Sequence, residues 1–174
     1  MDVDGVLFKG HFILHLARHA GRLIYIRTAL LCFLFNINKI SIQELLTRVY
    51  ARFKGITLEQ AKKVYQDITI IKHARETIQT LRNHGYHVVL ISSGVPDFFV
   101  KDLAARLSAN NGYGVEIGTN NSTLTGEVFG RLSQSTGKKE IIEDLLQESN
   151  LTWKDTIVLV DDRNNLNIMH KASI

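Results

Sequence analysis

The sequence predicts an α/β fold: a parallel sheet core with helices on both faces, an all-helical insert and a small β-hairpin. Three observations lead there. Short, continuously apolar runs at 87–91 (HVVLI) and 156–160 (TIVLV) alternate with helical stretches, as strands covered on both faces do. Residues 12–68 carry helical periodicity with hardly any strand signal. Polar clusters close each strand-like segment: Asp2/Asp4, Ser92/Ser93 and Asp161/Asp162. Parallel sheets gather their sites beyond the carboxyl ends of the strands, so this spacing predicts one shared pocket.

The chain has 174 residues and 45% hydrophobic content, enough for one domain or one domain with a small insert. The single Cys32 excludes an internal disulfide. No basic region followed by an apolar run comes after Met1, so no secretory signal is read and a cytoplasmic location is expected. The net charge of +4 suits an anionic ligand. No dense Lys/Arg tract with interleaved aromatics points to nucleic acid.

Taken in order, the chain opens on MDVDGVLF. Two carboxylates one residue apart lie on the same side of an extended chain, so Asp2 can attack phosphorus while Asp4 exchanges protons. D-x-D-G alone also opens turns or binds calcium, and the rest of the chain has to decide. The apolar run at 23–35 (LIYIRTALLCFLF) is too short, and interrupted by Arg27, for a membrane span. Two readings stand: a buried helix, or an amphipathic surface helix whose Arg18, Arg22, His15 and His19 meet anionic lipid or a partner. Ser41 with Glu44, and Thr57 with Gln60, have capping-box spacing and mark two helix starts. A helix at 72–83 ends at Gly85, the strand 87–91 follows, and a helix resumes at 96–108. Residues 115–128 read as paired short strands around Asn120 and Asn121. A helix at 138–148 and the strand 156–160 then lead into Asp161 and Asp162. Pro96 is the only proline, and no repeat or low-complexity tract appears.

With these segments in place, the chain resembles the haloacid dehalogenase-like phosphatases, in the phosphoserine-phosphatase-like branch with a helical cap between the first and second motifs. DVDGV, LISSG, TGKKEII and VDDRNN are similar to that family's four motifs in order, and LTGEVFG (124–130) to a hairpin of the branch. The resemblance implies a Rossmann-like core at 1–9 and 71–174 and a cap at 10–70. It implies Asp2 as nucleophile, Asp4 as general acid/base, Ser92 as the hydroxyl holding the phosphoryl group, and Lys138 as its stabilising cation. Magnesium is the implied cofactor, with Asp2, Asp4, Asp161 and Asn165 as metal site. Physically, a phosphate monoester is a dianion, which an anionic Asp approaches only where positive charge is gathered. Ser92 and the N–H groups of Ser93 and Gly94 are placed to donate to phosphoryl oxygens. Ser92 or Ser93 as a mere helix cap, Lys139 instead of Lys138, and Asp161 as a turn residue are the competing readings.

Several positions depart from the family pattern. Only Met1 precedes Asp2, and the chain stops at Ile174 soon after the fourth motif, so the first strand and the C-terminal end are expected to be truncated. Asn165 stands where close relatives have an acid, which removes a negative charge and should weaken magnesium. Asn164 matches a family asparagine. His11 stands where a phosphoserine phosphatase has a glutamate for the serine ammonium, and Arg48, with Arg52 competing, lies near its carboxylate-binding arginine. The expected function is a magnesium-dependent phosphatase acting on a small phosphorylated substrate other than phosphoserine. Its alternatives are a non-catalytic relative that binds a ligand or partner, and a lipid-phosphate phosphatase at the membrane surface. The oligomeric state stays open.

Overall fold

The computed structural model describes residues 1–161 and 165–173. Four helices follow the acidic pair: α1 (Phe12–Ala20), α2 (Arg22–Asn36), α3 (Ile42–Ala51) and α4 (Leu58–Asp67). α3 begins where Ser41 Oγ accepts from Glu44 N, and α4 where Thr57 and Gln60 cap each other's backbone, satisfying N–H groups that have no partner in the first turn. Leu45, Leu46, Val49 and Tyr50 of α3 and Ala61, Val64 and Tyr65 of α4 recur at helical spacing and are buried. Gly21 joins α1 to α2 in one residue at φ 135°, a conformation that favours glycine. The chain enters and leaves this helical group side by side: Lys9 N donates to Thr69 O and Ile71 N to Leu7 O, each at 2.9 Å.

The remaining elements are α5 (Ala74–Asn83), β1 (Val89–Pro96), α6 (Asp97–Leu107), β2 (Asn111–Asn120), β3 (Thr123–Phe129), α7 (Gly137–Glu148) and α8 (Leu166–Met169). The sheet order is β1-β2-β3, with β1 and β2 parallel and β2 and β3 antiparallel. The sheet is therefore mixed. β2 is at once a member of the parallel pair and the first arm of the hairpin, so hairpin and core sheet are continuous. Ile91, Leu132 and Ile141 pack α7 on one face, while Leu90 joins Phe99, Val100 and Leu103 of α6 in the main core. Helices thus cover both faces, as α/β layering requires.

Residues 156–160, expected as a strand, run without a ladder. Their neighbour in the sheet plane is only two residues long. Met1 N donates to Val89 O at 2.9 Å, Ile91 N to Met1 O at 3.0 Å, and Asp2 N to Leu159 O at 2.9 Å. Met1 and Asp2 thereby bridge β1 to this segment in a strand's position. Burial of the Met1 ammonium, opposed by the Asp2 charge, pushes its pKa down to about 6. An apolar groove of about 410 Å³ extends between Met1, β1, α7 and residues 156–160.

The apolar run 23–35 is neither fully buried nor polar on its outer side. Thr28 and Leu31 of α2 face the core, but Leu23, Ile26, Leu30 and Phe33 are more than half exposed. Among the described residues, no helix is long and apolar enough to cross a membrane.

Candidate active site

Asp2 and Asp4 follow the short ladder at Met1, and the turn after them is tight: Leu7 N and Phe8 N both donate to Val3 O. This turn sends the two carboxylates into one cleft of about 1070 Å³, whose wall also includes His11, Ser92, Lys138 and Asp161. Asp2 is 6% exposed. Its Oδ1 accepts from Val3 N at 2.8 Å, and its Oδ2 meets Lys138 Nζ at 2.5 Å and Asn165 Nδ2 at 3.3 Å. Lys138 opens α7, and the backbone there is held close because a Cβ on Gly137 would run into Arg131 O. Lys139 instead reaches Glu143 at 3.8 Å on the outside of the helix. The inward lysine is therefore Lys138.

Asp4 Oδ1 accepts from Phe12 N at 2.8 Å, at the start of α1. Its other oxygen lies against Gly94, where a Cβ would stand 2.5 Å away. Burial raises the Asp4 pKa to about 7; the Asp2 charge adds to the rise, while the Phe12 N–H, His11 and Lys138 oppose it. Asp161 is held by contact with Gly5: at φ +74 this glycine has no Cβ, and the Asp161 carboxylate occupies that space. Asp162 and Asn164 lie outside the described residues.

Ser92 is 1% exposed, at the point where the β1–β2 register shifts. Its Oγ accepts from Gly94 N at 3.2 Å and Val95 N at 3.1 Å, which leaves its hydroxyl hydrogen to donate. The serine closes its own turn and does not cap α6, whose N-cap is Pro96 without a side-chain bond. Gly94 N is thus already engaged, and among the expected backbone donors Ser93 N–H remains. Ser93 and Gly94 both line the cleft.

His11 stands on the cleft wall, but Arg48 does not. The Arg48 guanidinium is half exposed and pairs with Glu44 at 2.5 Å, turned away along α3. Glu44 does reach the cleft. A residue that the sequence reading passed over is Tyr50, buried on α3, whose hydroxyl donates to Gly94 O at 2.9 Å. It fixes the Ser92 turn to the helical group. A tyrosine at an apolar helix position reads as core, and only its hydroxyl hints at more.

Among the described residues, no three His, Cys, Asp or Glu side chains form a metal cluster. Asp2 and Asp161 bring two carboxylates, with the Asn165 side-chain amide beside Asp2. A hard-oxygen set with one or two carboxylates and room for water and phosphate fits magnesium, which keeps several waters.

The family model of haloacid dehalogenase-like hydrolases matches residues 1–163, and the chain belongs to that family. It is 25% identical over 173 residues to a phosphoserine phosphatase of Methanocaldococcus jannaschii, covering 99% of this chain and 81% of that protein. It is 24% identical over 173 residues to one of Archaeoglobus fulgidus, of whose length it spans 49%. A solved structure, a phospho-aspartyl intermediate analogue of phosphoserine phosphatase, superposes with a TM-score of 0.90 at 25% identity, covering 99% of this chain and 81% of that one.

Proposed function

We propose that the chain is a magnesium-dependent phosphatase that hydrolyses a small phosphate monoester through an aspartyl phosphate on Asp2. One observation carries this reading: Asp2, Asp4, Ser92, Lys138 and Asp161, drawn from distant parts of the sequence, line one cleft.

An oxygen of the Asp2 carboxylate bonds to phosphorus as the ester P–O bond breaks. Lys138, touching Asp2, offsets the repulsion between the carboxylate and the incoming dianion. Ser92 donates its hydroxyl hydrogen to a phosphoryl oxygen. Asp4, whose carboxyl pKa is raised by burial to about 7, gives its proton to the leaving alkoxide. It then takes a proton from the water that attacks phosphorus, releasing phosphate and restoring Asp2. Asp2, Asp4, Asp161 and Asn165 would hold magnesium, which would supply charge neutralisation at the phosphate.

His11 and the apolar Ile13, Leu14 and Phe35 border the space for the ester's organic part. An imidazole does not attract an ammonium as a carboxylate does, and Glu44 is already paired with Arg48. The substrate in this reading is not phosphoserine, and serine should not compete with it measurably.

The test is hydrolysis of para-nitrophenyl phosphate with and without magnesium, by the parent chain and Asp2→Asn. Magnesium-dependent release that vanishes in the variant supports the reading. Equal release by both proteins would overturn it.

A further inference from the structure

Helix α2 is apolar on two opposite sides, and this chain covers only one of them. Its inner side carries the buried Thr28 and Leu31. Its outer side carries Leu23, Ile26, Leu30 and Phe33, continued by Ile37 just past the helix end, at exposures of 60, 53, 56, 57 and 45%. At about 100° per residue, these five fall within an arc of about 80° on the side opposite Thr28. A helix apolar all round is normally buried on all sides, and a contiguous exposed stripe of large aliphatic and aromatic groups marks a binding surface.

The charges around the stripe indicate what covers it. Residues 5–43 hold five Lys and Arg side chains and no carboxylate, against a net charge of +4 for the whole chain. On the helix circumference, Arg22 and Arg27 fall just outside the stripe, one on each side, and both are exposed. Among the described residues neither pairs with a carboxylate. Arg18 joins them, its guanidinium 4.9 Å over the Tyr25 ring. A second copy of the chain packed on this face would set cation against cation, with no acid in residues 5–43 to answer them. A surface that is apolar beneath and anionic above answers both features.

We propose that the outer face of α2 docks the protein on an anionic lipid bilayer, with the Leu23–Phe33 stripe sunk to acyl depth and Arg22 and Arg27 at the headgroups. Docking stands apart from the phosphatase reading, since none of the stripe residues lines the cleft. It would nonetheless seat the cleft near the lipid surface, because Cys32 and Phe35 of the same helix form part of its wall.

The test is flotation of the full chain with vesicles of phosphatidylcholine alone or mixed with phosphatidylglycerol, at low and at physiological salt. The parent should partition at least about tenfold more strongly onto the anionic vesicles, and less so as salt rises. Leu30→Glu with Phe33→Glu should lose at least about tenfold in partitioning, with an unchanged circular dichroism spectrum and melting temperature. Arg22→Gln with Arg27→Gln should erase the preference for anionic lipid. Equal partitioning onto both vesicles, or Glu variants that float like the parent, would overturn the proposal. So would a parent that sediments as a dimer and becomes monomeric on Leu30→Glu with Phe33→Glu, because a second copy would then cover the stripe.

Discussion

Lys138 Nζ lies 2.5 Å from Asp2 Oδ2, joining the start of α7 to the second residue of the chain. Both side chains are largely withdrawn from water, at 15 and 6% exposure. Removing one partner of such a pair strands the other charge, whereas removing both does not. Lys138→Met should therefore lower kcat for para-nitrophenyl phosphate about 10²–10³-fold, as loss of a fixed charge at the reacting phosphate does. In urea unfolding, Asp2→Asn with Lys138→Met should be more stable than Lys138→Met alone. A double variant no more stable than the single one would show that the pair is not coupled.

The Asp4 carboxyl gives a pH signature with a definite sign. Its folded pKa is about 7, above the ordinary carboxyl value of 3.8. A raised carboxyl pKa adds stability that is complete below the unfolded value and is lost as pH rises through the folded one. The magnesium-free protein should thus lose stability between about pH 4 and 7 from this group. Asp4→Asn should flatten that part of the profile in denaturant titrations, and an unchanged slope would assign the pH dependence elsewhere.

Gly5→Ala tests how Asp161 is placed. The substitution puts a Cβ where the Asp161 carboxylate sits, at a backbone φ of +74. The conformation alone should cost about 1–2 kcal/mol. Displacing Asp161 should also raise the magnesium concentration needed for half-maximal hydrolysis. A variant with the parent's magnesium requirement would remove Asp161 from the metal site.

Thr28 is fully buried on the inner side of α2, and among the described residues its hydroxyl has no hydrogen-bond partner. Thr28→Val keeps the shape and removes an unsatisfied polar atom, so it should stabilise the protein by about 1 kcal/mol, read as a higher urea midpoint. A loss of stability would indicate that the hydroxyl is satisfied in solution.

Much of this architecture was legible in the sequence because local chemistry dictated it. The Thr57–Gln60 pair caps α4 as its spacing predicts. The hairpin turn falls one residue later than Asn120 and Asn121 suggest: Asn121 and Ser122 adopt positive φ, while Asn120 ends β2 and pairs with Thr123. What was not legible depends on distant partners. The TIVLV segment has the composition of a strand, yet it takes a single bond from its neighbour, Asp2 N to Leu159 O, and forms no ladder. β2 begins earlier than the hairpin pattern suggests, because Asn111 and Gly112 pair with Val89 and Leu90. In the site, motif order points to Asp2, Asp4, Ser92 and Lys138, and all four line one cleft. The choice of Lys138 over Lys139 needed the close approach of α7 at Gly137. Arg48 could not be placed by spacing alone, since its Glu44 partner one helical turn away decides its direction.

Phe12 and Leu16 of α1, Val49 of α3 and Val64 of α4 belong to the same apolar cluster as Leu90 of β1 and Val100 of α6. The helical group therefore shares its hydrophobic interior with the sheet, and lifting it would open that interior to water. Heat should melt helices and sheet together, in one calorimetric peak whose calorimetric and van't Hoff enthalpies agree. A ligand bound in the cleft, whose wall both parts supply, should then raise that single melting temperature without splitting the peak.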